Sequence, residues 1–104
     1  EVKKIVDFKC PSSGMSKHNL WEIVADLNPR DEIKFVIGDI NDYKWAKKKI
    51  DTHNMTNKNT VLMSPVFDMM SPETLSNWIL DDNLDVRMQI QMHKYIWDPD
   101  KTGV

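Results

Sequence analysis

Near the end of this 104-residue chain four polar residues recur at every second position: Arg87, Gln89, Gln91 and His93. The intervening positions hold Val86, Met88, Ile90 and Met92. Alternate residues of a β-strand point to opposite faces, so an extended segment here is apolar on one side and hydrogen-bonding on the other. Whether that polar side looks at bulk water or at a site decides whether the row is chemistry or surface. Lys9 and Ser64 raise the same question, because each falls on the polar parity of an earlier strand-like run.

Other chemistries find little support. His18, His53 and His93 lie in separate stretches with no zinc-motif spacing. Ser12-Ser13-Gly14 follows one apolar run and precedes another, yet it lacks the glycine-rich phosphate fingerprint and reads as a turn. Neither serine has a nucleophile-elbow context. Cys10 is the single cysteine, which excludes an intrachain disulfide framework and any Cys-rich metal site contained in these residues. With no activating neighbour in the sequence, it reads as an inert thiol in a reducing cytoplasm. Lys44, Lys47, Lys48 and Lys49 read as the solvated face of a helix, not a phosphate site.

The elements that must position these residues follow from periodicity. Residues 3–9, KKIVDFK, read as a strand closed by the breaker cluster CPSSGMS. Leu20, Ile23, Val24 and Leu27 form the apolar stripe of a helix that Asn28-Pro29 ends. Residues 32–38 read as a second strand, and 41–53 as a second helix with Tyr43, Ala46 and Ile50 on one face. Residues 60–66 read as a third strand. Ser71, Pro72 and Glu73 then supply a cap, a first-turn proline and a first-turn acid for a third helix, with Leu75, Trp78 and Ile79 inward. The polar row at 87–93 is the fourth strand.

Regular alternation with short loops predicts an α/β chain, a parallel βαβαβαβ unit spanning residues 1–104 as one domain. A parallel sheet covered on both faces has near-continuous apolar strands, and these are two-faced. Val6 and Phe8 oppose Asp7 and Lys9; Phe35 opposes Lys34; Val61 and Met63 oppose Ser64. Two architectures satisfy that pattern. A partial (β/α) barrel turns the polar face into a cavity wall, with sites at the carboxyl ends of the strands. An open sheet with helices on one face and water on the other does so with no ligand at all.

Composition narrows the classes further. With 40% hydrophobic and 29% charged residues and a net charge of −2, the chain is an ordinary globular composition without the basic footprint of a nucleic-acid binder. No apolar run approaches a membrane span. The chain opens at Glu1, close to its first strand, and is expected to be a piece of something longer.

The ending RMQIQMHKYIWDPDKTGV resembles the carboxyl terminus of the 7-carboxy-7-deazaguanine synthases, radical S-adenosylmethionine enzymes of queuosine and 7-deazapurine biosynthesis. VDFKCPSSGMS, DEIKFVI and VLMSPVF resemble the same family in the same order. The resemblance covers essentially the whole chain but only the carboxyl-terminal half of such an enzyme. It implies the carboxyl-terminal part of a partial (β/α) barrel. In the longer protein it implies a [4Fe–4S] cluster, S-adenosylmethionine and Mg²⁺, with ring contraction of 6-carboxy-5,6,7,8-tetrahydropterin and loss of ammonia. Lys9 and Ser64 match positions that contact S-adenosylmethionine. His93 and Gln91 match the substrate side, and the carboxylate of Val104 is implied to curl toward the pterin. The departure is as informative: three thiolates are needed for the cluster and one cysteine is present, so these residues alone are expected to be inactive.

The resemblance further implies a missing amino-terminal half, a reductant protein and a homo-oligomeric parent, with neither nucleic acid nor membrane as a direct partner. A half-barrel leaves strand edges unpaired, so the isolated piece is expected to self-associate. A stand-alone α/β ligand-binding or interaction module, or part of a related radical enzyme, is the competing reading.

Overall fold

The structure, a computed structural model, describes residues 3–14 and 21–90. Among the described residues four strands form one sheet in the order β1-β2-β3-β4, every neighbouring pair parallel: β1 Ile5–Phe8, β2 Glu32–Ile37, β3 Thr60–Pro65 and β4 Arg87–Met88. The helices between them are α1 Ile23–Asp26, α2 Ile40–Thr52 and α3 Pro72–Asp81. The predicted α/β parallel unit is therefore present, as an open sheet and not a closed barrel.

Register sorts the side chains as alternation demands. Val6, Ile33 and Val61 form one row, and Phe8, Phe35, Met63 and Met88 the next. These face the helices, where Val24, Tyr43, Ala46, Ile50 and Leu75 complete the core. Phe8 and Phe35 stack at 5.8 Å, and Trp45 from α2 meets Phe35 edge-on at 6.1 Å. Burial of these large rings supplies the main drive for the helices to lie on this side of the sheet.

Capping explains the helix boundaries. Asp39 accepts the Asp42 backbone N–H at 2.8 Å to start α2, and Ser71 accepts the Thr74 N–H at 3.4 Å to start α3, with Pro72 in the first turn as expected. Asn83, with φ 49°, ends α3: Leu84 N–H reaches Ile79 O at 3.0 Å and Asn83 N–H reaches Leu80 O at 3.1 Å. Tyr43 ties the two long helices together, donating its hydroxyl to Asp82 at 2.5 Å, where Lys47 also pairs at 3.1 Å.

A buried carboxylate closes the amino end. Asp31 accepts backbone N–H groups from Lys4 at 3.0 Å and Asn28 at 2.9 Å, which hold it below the usual carboxylate range. Asn59 donates to the carbonyls of Asn28 and Asp31. Three strand starts are thus fastened at one point.

Candidate functional site

The face turned away from the helices carries the polar parity. Asp7, Lys34, Leu62 and Arg87 form one row across all four strands. Val36 and Ser64 pair in the next row, nearer the carboxyl ends. Lys9 follows the last paired residue of β1 and Gln89 the last of β4, so alternation places both at the ends of that row. The Gln89 N–H bonds Met63 O at 2.9 Å, continuing the pairing beyond the strand proper.

Lys9 and Ser64 therefore share one face and one end of the sheet. They stand two strands apart, about 10 Å at the usual strand spacing, with Val36 between them. The Lys9 side chain is exposed, and its Nζ lies 3.5 Å from Asp7 Oδ2. Ser64 is 2% exposed and Leu62 6%, whereas Asp7, Arg87 and Gln89 are exposed. The third strand thus gives this face a dry centre with charged and amide groups at its margins. Such an arrangement suits a ligand with an anionic or hydrogen-bonding rim and a flat apolar body.

Gln91, His93 and Val104 lie outside the described residues, as do residues 91–93 of the fourth strand read from the sequence. The described part of that row, Arg87 and Gln89, falls on the Ser64 side, as its parity requires. Cys10 lies on the helix side, 2% exposed. Burial, with Asp42, Asp7 and Asp39 adding repulsion, pushes its thiol up to about 12. Ser12 to Gly14 form a tight turn, with Gly14 at φ 76°.

One residue that periodicity passed over organises the carboxyl end. Asp42, in the first turn of α2 and fully buried, accepts the Ser12 backbone N–H at 2.9 Å and the Gly38 N–H at 2.7 Å, and also the Ser12 hydroxyl. The signal in the sequence is Asp39-x-x-Asp42 directly after a strand: the first aspartate caps, which leaves the second free to turn inward.

The remaining features sit elsewhere. A cavity of about 440 Å³ lined by Trp21, His53, Met55 and Asn59 lies toward the start of β3, and another of about 610 Å³ beside Lys44, Lys48 and Leu84 lies against α2. Trp21 is sandwiched there by Phe8 at 4.4 Å and His53 at 5.0 Å. That stack accounts for His53 as packing. Among the described residues, no three His, Cys, Asp or Glu side chains gather as a metal site, and no helix is long and apolar enough to cross a membrane.

Comparison with known proteins bears out the resemblance. The chain is 42% identical over 106 residues to the 7-carboxy-7-deazaguanine synthase of Chlorobaculum tepidum, covering 99% of this chain and 48% of that protein. It is 42% identical over 117 residues to the Koribacter versatilis protein of the same name, covering 100% and 52%. The Clostridium acetobutylicum synthase is 41% identical over 100 residues, covering 95% and 45%. The chain thus spans about half the length of these relatives. No family model matches, and no solved structure matches significantly.

Proposed function

From a chain similar along almost its whole length to about half of each 7-carboxy-7-deazaguanine synthase, we propose that these residues form the carboxyl-terminal part of such an enzyme. The reaction proposed is the radical S-adenosylmethionine ring contraction of 6-carboxy-5,6,7,8-tetrahydropterin to 7-carboxy-7-deazaguanine, with loss of ammonia. The observation that carries the reading is the coincidence of that similarity with a two-faced sheet whose polar side brings Lys9 and Ser64 to one end.

The residues divide the work by chemistry. The exposed Lys9 ammonium suits the carboxylate of S-adenosylmethionine, and the Ser64 hydroxyl, recessed on β3, suits a ribose or amino group. Gln91, His93 and the Val104 carboxylate are proposed for the pterin, whose row of donors and acceptors rewards matched partners and rejects analogues that lack them. The iron–sulfur cluster does not fit these residues: Cys10 is the single thiol, buried on the helix side with its proton held tightly. Its ligands, and the radical chemistry the cluster supplies, belong to the other half of the protein. Mg²⁺ likewise finds no ready-made carboxylate group among the described residues. By themselves these 104 residues are proposed to be inactive. The whole protein is proposed to work in the cytoplasm as a homo-oligomer with a reductant protein, without contacting nucleic acid or membrane.

The test uses the full-length protein, reconstituted anaerobically with iron and sulfide and given S-adenosylmethionine, Mg²⁺, reductant and 6-carboxytetrahydropterin. Mass spectrometry should show 7-carboxy-7-deazaguanine from the wild type and a large loss in His93→Ala. A loaded cluster that cleaves S-adenosylmethionine but yields no such product would reject the substrate assignment in favour of a related radical enzyme.

A further inference from the structure

We infer that Asp42 is a positioning residue: its one carboxylate locks the turn after β1, residues 10–14, to the β2–α2 junction at Gly38, and so sets where Lys9 stands on the candidate site. The consequence for ligand binding rests on the function proposed above, whereas the lock itself stands on geometry alone.

Cys10 anchors the base of the turn in the core, and Ser12 at its tip reaches across to Asp42. The turn's helical residues, Pro11 to Ser13, bury no side chain. Internally it is a single hydrogen-bonded unit, because Cys10 O accepts both the Ser13 N–H at 3.0 Å and the Ser13 hydroxyl at 2.7 Å, and Gly14 N–H reaches Pro11 O at 3.0 Å. Fixing Ser12 therefore fixes the whole turn, together with the Lys9 that leads into it. Two donors from Ser12 end on Asp42, which lies 30 residues further along the chain.

Asp42 is not needed to start its own helix, since Asp39 already caps α2. A buried carboxylate is costly unless its oxygens are well bonded. Here three donors satisfy it, and the amino end of a thirteen-residue helix adds favourable dipoles. Gly38 completes the lock through close approach. A Cβ on it would lie 2.8 Å from Ser12 Oγ and 3.2 Å from Asp42 Oδ2, so a larger residue would wedge the two loops apart.

The experiment compares full-length wild type with Asp42→Asn, which keeps the size but sets N–H groups against incoming donors. Amide exchange is read at Ser12, Gly38 and Phe35, and S-adenosylmethionine binding is measured by equilibrium dialysis. Exchange at Ser12 and Gly38 should accelerate together by about tenfold or more while Phe35 stays protected, which is local opening and not global unfolding. The dissociation constant should rise about tenfold, equivalent to about 1.4 kcal/mol. Unchanged exchange at either loop would overturn the lock. Accelerated exchange with unchanged affinity would overturn the positioning role. If wild type binds no S-adenosylmethionine, the functional reading fails, and the paired exchange rates alone decide for or against the lock. Should Asp42→Asn unfold, Ser12→Ala removes one donor and is judged by the same criteria.

Discussion

Phe35 and Lys34 are adjacent on β2 and face opposite sides of the sheet, so truncating each to alanine tests the assignment of faces on which the candidate site depends. Phe35 is completely buried, pairs in register with Phe8 and Met63, and meets the Trp45 ring edge-on. Losing a buried phenylalanine side chain costs about 3–5 kcal/mol, because the transfer energy and the cavity left behind add. Domains of this size are stable by only about 5–15 kcal/mol. At an m-value of about 1.5 kcal/mol per molar urea, Phe35→Ala should lower the unfolding midpoint by about 2–3 M. Lys34 lies in the row with Asp7 and Leu62 on the far face and is half-buried. Its truncation should change stability by no more than about 0.5 kcal/mol, as at other positions outside the core. Urea unfolding followed by tryptophan emission measures both. Equal losses for the two variants, or a Phe35→Ala loss below about 1 kcal/mol, would refute the assignment of Phe35 to the core face and Lys34 to the opposite one.

Three further outcomes are expected. Cys10 should label with iodoacetamide at pH 8 only at the rate of unfolding. Since its folded value, about 12, lies above the ordinary 9.0, its contribution to stability is complete below about pH 9 and is lost as the pH rises toward 12; fast labelling of the native protein would contradict that burial. Asp31 is depressed below its ordinary 3.8 by two backbone N–H donors, so its contribution is complete above that value and is lost as the pH falls through the lower folded value. An acid-unfolding midpoint that Asp31→Asn leaves unmoved, with stability at pH 7 unchanged, would remove Asp31 from the amino-end lock. Gly38→Ala should cost about 1–3 kcal/mol in thermal unfolding, because its Cβ would meet Ser12 and Asp42 at less than ordinary contact distance; an unaltered melting temperature would show that the two loops can part freely.

Asp42 and Cys10 show where sequence reading stopped. Cys10 was legible as an inert thiol, since one cysteine with no activating neighbour has little else to be, and its burial among the helices agrees. Asp42 carries no such mark, being one of several polar residues that open a lysine-rich helix. Its three donors come from Ser12 and Gly38, two of them from 30 residues away, and no local spacing reports a contact of that range. Val36 and Leu62 were likewise passed over as members of the far face, because apolar residues within a strand read as core until register assigns them a side.

The sequence by itself determined the alternation of strands and helices, the Ser71 cap and first-turn Pro72 of the third helix, and which parity of each strand is polar, because these depend on periodicity and on neighbours within a few residues. It also carried the resemblance, through short stretches in a fixed order. Only the tertiary structure decided that the sheet is open, that Lys9 and Ser64 stand at the same end of the same face, and that one carboxylate on α2 ties the turn after β1 to the end of β2. Those facts require register between strands and contacts across about 30 residues of chain, and both are set by how the core packs, not by any local preference of the backbone.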